Sequence, residues 1–389
     1  MKLKRLPEDF QVEELTGFAP DGGPFALYRL TKRSLGTPEA VTAVLRRWNV
    51  PRRRVSYGGL KDRHAVTHQY LTIQGGPRRD LSQNNLELAY QGQASRPFGP
   101  HDIAGNRFQI TLRDLADLER RQIETRLEAV RREGLPNYFD DQRFGSVGHS
   151  GEFVARPWCL GDYERALWLA LAEPNPHDRP GEREEKRLLR EHWGDWSRCK
   201  ELLAQSHRRS VATYLADRPG DFRGAIARVR VDLRSLYLAA FQSYLWNELL
   251  AESLRRQLRP EQLFTIETDA GAWPFYRALE SGQLDGLRAA TLPLPSARTR
   301  IEDPELRSLT DEVVGRAGLE LRQLRVKYPR DSFFSKGERP AAFFPAGLRH
   351  QAGDDELHSG RSKLTLAFDL PRGCYATILV KRLTAAEPP

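Results

Sequence analysis

The sequence predicts a protein of mixed helices and strands in two domains, one of which is formed by both ends of the chain. Residues 1–162 alternate between strand-like and helix-like patterns, residues 163–342 are mainly helical and rich in arginine, and residues 343–389 return to the first pattern. A chain of 389 residues is long enough for about two domains. We therefore expect the central segment to be an insertion into a domain built from the two ends.

The N-terminal part contains alternating strands and helices. A first strand is predicted at Phe10–Leu15 and a second at Phe25–Leu30, followed by a helix that Thr37 caps and that has Pro38 in its first turn. The further elements predicted here are strands at Tyr70–Ile73 and Asn106–Leu112 and a helix at Leu115–Arg132 ended by Gly134.

The rest of the chain divides into a helical and a mixed part. A strand is predicted at Leu364–Phe368 and a short helix at Cys374–Leu383, while the polar residues 350–361 are expected to be flexible. The helical stretches predicted in the central part are Leu167–Leu171, Leu188–Leu203, Leu236–Leu258 and Thr310–Arg325.

The charge of the chain is compatible with a polyanionic partner. Lys and Arg number 61 against 52 Asp and Glu, a formal net charge of +9. Such an excess displaces counterions from nucleic-acid phosphates, although solvated surface cations account for it equally well. The three cysteines, Cys159, Cys199 and Cys374, are far apart and form no CxxC pair, and no signal peptide or apolar span is evident, so we expect a cytoplasmic protein without a membrane segment.

The segment Gly58–Gln69 has the strongest chemical signal. Two glycines permit a tight backbone path, and Asp62 follows between the cations Lys61 and Arg63. Adjacent cations favour an ionised carboxylate, which can act as a base, a metal ligand or a nucleophile. A surface loop with an ordinary ion pair is the alternative.

Two other patterns leave alternatives open. His64 and His68 are four residues apart, a spacing that would place both on one face of a helix as metal ligands, but no third ligand follows a known pattern. The segment Leu135–Gly145 interleaves aromatic residues with Asn, Gln and Arg, which either read a base edge or anchor a loop to the core.

Taken together, four segments resemble the TruD family of pseudouridine synthases. A further helix, Phe241–Asn247, resembles one in the inserted domain of that family. The four segments, in family order, are Glu8–Glu13 (EDFxVxE), Gly59–Gln69 (GxKDxxAxTxQ), Asn137–Gly145 (NYFxxQRFG) and Leu370–Thr377 (LPxGxxAT).

The resemblance implies a fold and a set of site residues. The fold is α+β, a pseudouridine synthase catalytic domain with a mixed sheet and an inserted, mainly helical TRUD domain. Asp62 is implied as the catalytic aspartate. The residues implied to bind substrate are Phe10, Asn137 and Tyr375 around the uridine, with Lys4, Lys61 and Arg143 near them. The family often has Phe in place of Tyr375, and a Gly-containing pair in place of Asp140–Asp141.

The resemblance also implies the reaction. The expected activity is isomerisation of uridine to pseudouridine, at position 13 in the D-arm of tRNA. The expected partner is tRNA, with no cofactor and no metal, and the protein is expected to be a monomer. Lys61, Arg63 or Arg143 would hold Asp62 ionised. The competing hypotheses are a non-catalytic RNA-binding protein and a metal-dependent hydrolase that uses Asp62, His64 and His68.

Overall fold

The chain forms two compact units in a computed structural model that describes residues 1–385. The first unit combines Met1–Leu135 with Phe343–Ala385, and the second is Pro136–Ala342. In chain order the strands are β1 (Lys2–Leu3), β2 (Phe10–Thr16), β3 (Phe25–Arg33), β4 (Val55–Tyr57), β5 (Val66–Gln74), β6 (Leu81–Gln83), β7 (Leu86–Ala94), β8 (Ile103–Leu115), β9 (Leu135–Pro136), β10 (Leu263–Thr268), β11 (Gly271–Tyr276), β12 (Thr291–Pro293), β13 (Glu338–Pro340), β14 (Ala342–Phe343), β15 (Ala346–Asp354) and β16 (Ser362–Pro371). The α-helices are α1 (Thr37–Trp48), α2 (Asp117–Glu133), α3 (Ala155–Leu160), α4 (Tyr163–Leu171), α5 (Pro180–Glu191), α6 (Trp196–Leu202), α7 (His207–Asp217), α8 (Phe222–Ile226), α9 (Val231–Gln257), α10 (Ser281–Ala289), α11 (Pro304–Arg316) and α12 (Ala376–Thr384).

The first unit is built on one ten-stranded sheet in the order β15-β16-β8-β2-β5-β3-β7-β6, with β1 paired to β8 and β4 to β5. Strands β2 and β5 are parallel, while the other pairs are antiparallel. The sheet is therefore mixed, and the α+β fold class is confirmed. Because β8 lies between β2 and β16, the C-terminal strand completes the sheet begun by the N-terminal strands.

The second unit is organised around the 27-residue helix α9. Its buried side chains, among them Phe241, Leu245 and Trp246, pack in the core of the same unit, and the helix contacts strands of two small two-stranded sheets there. Among residues 1–385, no helix is both long enough and apolar enough to cross a membrane.

The unit boundary differs from the sequence-based expectation at one end. The sequence predicted that the insertion begins at residue 163, whereas the compact second unit begins at Pro136. The physical reason is visible in residues 136–162: Val154, Ala155 and Trp158 belong to the same hydrophobic core as Leu167 and Phe241. Residues 137–154 contain no α-helix or strand and α3 spans only six residues, so this part of the chain has too little periodicity from which the packing could be predicted.

Three local expectations need correction. Gly36, not Thr37, is the N-cap of α1, and Thr37 lies inside the helix with its side chain directed elsewhere. The stretch predicted as one helix at Leu188–Leu203 is two helices, α5 and α6, separated around Gly194, whose φ of 96° no helix accommodates. Helix α11 ends at Arg316 instead of Arg325, shortly before Gly318 at φ 73°.

The polar stretch 350–361 is ordered, contrary to the expectation of flexibility. Its first part belongs to β15, and Asp355 and Glu356 then accept hydrogen bonds from the buried Arg113 of β8, at 2.9 and 3.0 Å. Asp9 accepts a third hydrogen bond from the same guanidinium at 2.8 Å. This network connects β8 to the segment before β2 and to the turn before β16.

The charges in this network are held by hydrogen bonds. Burial disfavours the ionised form of Asp355, but the N–H groups of Asp114 and Leu357, together with His358 and Arg113, hold its pKa well below the usual 3.8. The side chains of Arg113, Asp9 and Asp355 are at most 5% exposed. Removing one partner would therefore leave buried charges uncompensated.

We expect Arg113→Met to lower the free energy of unfolding of the first unit by about 3–5 kcal/mol near neutral pH. The effect should shrink in acid, because a carboxyl with a depressed pKa stabilises the fold above its unfolded pKa of 3.8 and loses that contribution as pH falls below it. Urea unfolding followed at neutral and acidic pH measures both effects.

The matched control is Arg107→Met on the same strand. Arg107 is 57% exposed and pairs with Asp369 at 2.9 Å, so its removal should change the unfolding free energy by less than about 1 kcal/mol. Equal destabilisation in the two variants would contradict the assignment of the Arg113 network as a structural element.

Candidate active site

Asp62 lies in the loop of residues 58–65, between β4 and β5. Close packing shapes the start of this loop, because a Cβ on Gly58 would lie 2.3 Å from Cδ1 of Ile103. Gly59 has open space at the same position, so only the first of the two glycines is sterically required. The Asp62 side chain is 31% exposed. Solvent can therefore reach the Asp62 side chain, while the start of its loop packs against Ile103.

Lys4 supplies the cation next to Asp62. Its Nζ donates a hydrogen bond of 2.7 Å to Oδ2 of Asp62 and lies 3.8 Å from the centre of the Phe10 ring. The Lys4 backbone has a φ of 54°, a conformation that non-glycine residues seldom adopt, and Nε2 of His64 donates to its carbonyl at 2.8 Å. Lys4, Phe10 and Asp62 are therefore brought together, with His64 holding the strained residue.

A second cation, Lys32 of β3, holds the backbone of Asp62. Lys32 is fully buried, and its Nζ donates to the carbonyl oxygens of Asp62 at 2.7 Å and Lys61 at 3.4 Å. Burial lowers the pKa of Lys32 to about 8, while the nearby Asp62 and Glu39 carboxylates favour its charged form. A buried ammonium needs such acceptors, so the loop and Lys32 stabilise each other.

Thr37 and Gln69 hold the same loop by neutral hydrogen bonds. The Thr37 hydroxyl accepts from the backbone N–H of Lys61 at 3.0 Å and donates to Oε1 of Gln69 at 2.8 Å. The Gln69 amide then donates to the carbonyl of Gly59 at 3.2 Å. The Thr37 side chain therefore holds the Asp62 loop and does not cap the helix. Gln69, at the end of the segment, holds the same loop.

Lys61 is directed away from Asp62. Its Nζ lies 2.9 Å from Oε1 of Glu14, a fully buried carboxylate, and donates to Oδ1 of Asn106 at 2.9 Å. Burial raises the pKa of Glu14, and the Lys61 charge and the Tyr70 N–H oppose that shift. Lys61 thus anchors its end of the loop to β2 and β8.

The ion pairs near the loop correct the sequence-based hypothesis for two of its three cations. Arg63 faces Glu39 at 3.6 Å and Lys61 faces Glu14, whereas the role expected of Arg143, in the second unit, stays a prediction. The cation that hydrogen-bonds to Asp62 is Lys4, which the sequence placed only near the pocket.

Tyr375 is the half-buried residue immediately before α12. Sheet register relates it to the loop that carries Asp62: Leu370, near the end of β16, pairs with Asn106, and Asn106 pairs with Glu14. The turn that leads to Tyr375 therefore begins close to Asn106 and Glu14, the two residues that hold the Lys61 side chain.

Asn137 lies in the second unit and is itself a structural anchor there. Only 2% of Asn137 is exposed; its amide donates to the carbonyl of Pro340 at 3.0 Å, and its Oδ1 accepts from Nη2 of Arg339 at 2.7 Å. The Arg339 guanidinium also donates to the backbone carbonyl of Asn137. Among residues 1–385, the other amide N–H and the other lone pair of Oδ1 have no hydrogen-bond partner.

Arg143 lies in the same segment, and its guanidinium is 5.3 Å from the ring centre of Phe139. Arg339 lies over the same ring at 4.1 Å, and Asn247 of α9 clamps the Phe139 backbone through both its N–H and its carbonyl, at 2.8 and 2.9 Å. Tyr138 is buried, and its hydroxyl donates to Pro274. Tyr138 and Phe139 are therefore anchors, and Asn137, which directly precedes them, is held by Pro340 and Arg339.

The two histidines do not share a helical face. His64 is in the loop and His68 in β5, where its Nδ1 lies 2.9 Å from the Thr31 hydroxyl. No group of three or more His, Cys, Asp or Glu side chains among residues 1–385 is arranged to hold a metal ion.

Sequence reasoning missed Lys32, Thr37 and Glu14. A signal existed for Lys32: it follows the buried Leu30 by two positions in a strand, so strand periodicity directs its charge inward. A charge predicted to face a core requires a partner, and that partner is the Asp62 loop.

Comparison with known proteins agrees with this architecture. The family described as tRNA pseudouridine synthase D (TruD) matches residues 1–383. A probable tRNA pseudouridine synthase D 2 of Methanocaldococcus jannaschii is 32% identical over 393 residues, covering 98% of this chain and 91% of that protein. The tRNA pseudouridine synthase D of Aquifex aeolicus is 28% identical over 402 residues, covering 100% and 99%.

A solved structure shares the fold. The crystal structure of the putative tRNA pseudouridine synthase D from Methanosarcina mazei matches with a TM-score of 0.74 at 23% identity, over 98% of this chain and 93% of that one. The resemblance carried by the four sequence segments is thus confirmed by a match over almost the whole chain. The chain belongs to the TruD family of pseudouridine synthases.

Proposed function

We propose that this protein converts uridine to pseudouridine in tRNA, at position 13 of the D-arm, with Asp62 as the nucleophile. The observation that carries the proposal is the geometry of Asp62. Lys4 holds one carboxylate oxygen, the side chain is partly exposed, and Lys32, Thr37 and Gln69 fix the loop from behind. The tRNA substrate is the one named for the related proteins.

The proposed reaction exchanges one bond to the ribose for another. Asp62 attacks C1′ of the uridine, the bond from C1′ to N1 breaks, and the uracil leaves with the electron pair. The free uracil turns so that C5 attacks C1′ and displaces the carboxylate. Loss of the C5 proton and protonation of N1 complete the product. Formation of a glycal with Asp62 as the base, and attack of Asp62 on the uracil ring, are the alternative roles of the same carboxylate.

The ammonium of Lys4 can stabilise the Asp62 carboxylate at two points of this reaction. It stabilises the free carboxylate before attack and again when the carboxylate departs, because an opposite charge within hydrogen-bonding distance favours the ionised form. The ring of Phe10, on which Lys4 lies, is 4% exposed and also contacts Phe108. We therefore assign Phe10 first to the positioning of Lys4.

The remaining proposed substrate contacts are Tyr375, Asn137 and Arg143. Tyr375 offers a half-buried ring for the base, Asn137 an amide with spare hydrogen-bonding capacity, and Arg143 a cation for the RNA backbone. Chemistry on a base inside folded RNA requires its extrusion from the stack, at a cost of a few kcal/mol. Contacts between RNA phosphates and basic side chains offset that cost.

We expect Asp62→Asn to abolish turnover while tRNA binding stays within about twofold. The amide keeps the shape of the side chain but cannot attack as an anion. Pseudouridine formation on an unmodified tRNA transcript, measured beside a filter-binding assay, tests both parts. Asp21→Asn, at an exposed carboxylate that accepts from Ser95, is the matched control and should retain full activity. Product formed by Asp62→Asn would refute the nucleophile.

We expect Lys32→Met to lower kcat roughly 10- to 100-fold with little change in KM. The variant removes a charge-assisted hydrogen bond to the Asp62 carbonyl, an interaction worth about 1.5–3 kcal/mol. Single-turnover rates at saturating tRNA measure the effect, and thermal unfolding verifies that the fold is intact.

The matched control for Lys32 is Arg29→Met. Arg29 lies on β3 as well but pairs with Glu13 at a partly exposed position, so its removal should leave kcat unchanged. An unchanged kcat in Lys32→Met would show that Lys32 does not position Asp62.

We expect a chelator to leave the activity unchanged. The proposed isomerisation transfers no electrons and consumes no second substrate, and the carboxylate itself supplies the nucleophile. Treatment with a chelator followed by the transcript assay tests this; activity that disappears and is then restored by a divalent cation would favour the metal-dependent alternative.

A further inference from the structure

A second basic and aromatic feature lies in the second unit, in the loop of residues 325–336 between α11 and β13. Together with residues before α11, this loop borders a cavity of about 300 Å³. Three arginines line it, Arg298, Arg325 and Arg330, along with Phe333. We call these four residues the arginine–phenylalanine site.

The loop is held firmly at several points. Arg234 of α9 forms a bidentate pair with Asp331 and donates to the Ser332 hydroxyl at 2.7 Å. Gln242, two turns along the same helix, donates to the carbonyl of Ser335 at 2.9 Å and accepts from its N–H at 3.1 Å. Phe334 is buried in the core of the unit.

The Phe333 side chain is exposed although both of its neighbours are buried. Its exposed fraction is 64%, against 4% for Ser332 and 5% for Phe334. A loop anchored on each side of a residue cannot simply turn that residue inward, so the fold presents the ring to the surroundings. An exposed ring held in place is suited to stacking on a flat partner.

The cations around this ring are not neutralised. Within the described residues, the side chains of Arg298, Arg325 and Arg330 are exposed and make no ion pair or side-chain hydrogen bond, and no carboxylate lines the cavity. Other arginines of the unit are paired with carboxylates, as Arg187 is with Glu184 and Glu191. Three unpaired guanidiniums at one cavity create a positive potential that favours an anionic ligand.

We propose that the arginine–phenylalanine site binds an unpaired stretch of RNA, with one base stacked on Phe333 and neighbouring phosphates on the three arginines. The inference rests on the proposed function in that the RNA is the tRNA substrate. Charge and ring together favour RNA over an acidic protein, because a nucleotide carries a phosphate and a flat base within the reach of a single site. A cavity of about 300 Å³ lies at the lower end of the range for small ligands, which is compatible with one base.

The test measures binding of two probes by the full chain: an unmodified tRNA transcript and a short single-stranded oligouridine. Phe333→Ala should weaken binding of both by roughly 5- to 150-fold without changing the salt dependence, because a stack carries no charge. The triple variant Arg298→Ala, Arg325→Ala, Arg330→Ala should make the salt dependence weaker. The magnitude of the negative slope of log K against log salt should fall by about 0.7 for each phosphate that an arginine no longer neutralises. Both should raise KM for tRNA and leave kcat at saturating tRNA within about twofold.

Matched variants separate stacking from other effects. Phe333→Trp should restore binding and Phe333→Leu should not, since only the former keeps an aromatic face. Leu160→Ala, at another exposed apolar residue of the unit, and Arg307→Ala, at an arginine paired with Asp311, should bind both probes as the unaltered protein does.

The outcomes distinguish this site from the proposed activity. Unaltered RNA binding by Phe333→Ala and the triple variant, with pseudouridine formation intact, would overturn the site and leave the function standing. The unaltered protein could instead bind oligouridine but form no pseudouridine, while these variants lose the binding. That result would support the site and refute the proposed function. Equal binding of the RNA probes by Phe333→Leu and by the unaltered protein would overturn the stacking, because leucine has no aromatic face.

Discussion

The buried ammonium of Lys32 is the interaction on which the site depends. A fully buried charge near the end of β3 cannot be solvated, and the carbonyl oxygens of Lys61 and Asp62 are the acceptors that replace water. The loop is therefore bound to the sheet by the need to satisfy a charge. This constraint is stronger than sequence-local turn preferences, because leaving the ammonium unpaired costs several kcal/mol.

The arrangement around Asp62 separates two tasks between two lysines. Lys32 acts on the backbone from inside the unit, while Lys4 acts on the carboxylate from the accessible side. Lys4 occupies a strained backbone conformation that is sustained by His64 and by the Phe10 ring. The carboxylate thus has a fixed backbone and a charged neighbour, as the proposed nucleophile requires.

The second unit uses one long helix for a similar purpose. Asn247 of α9 clamps the backbone of Phe139, and Gln242 of the same helix clamps that of Ser335. Each buried side-chain amide bonds both the N–H and the carbonyl of one loop residue. This fixes irregular backbone that no sheet or helix holds. The segment containing Asn137 and the loop containing Phe333 are consequently both rigid surfaces.

The sequence by itself determined the fold class, the order of most elements and the family, because amphipathic periods and four ordered motifs are local in the chain. Asp62, Lys4 and Phe10 could be named in advance for the same reason. Only the tertiary structure decided that Lys4 and not Lys61 pairs with Asp62, that Thr37 holds a loop instead of capping its helix, and that Asp355 orders a stretch expected to be flexible. These choices are made between residues distant in sequence, where competing partners differ only in burial and in which polar groups would otherwise remain unsatisfied.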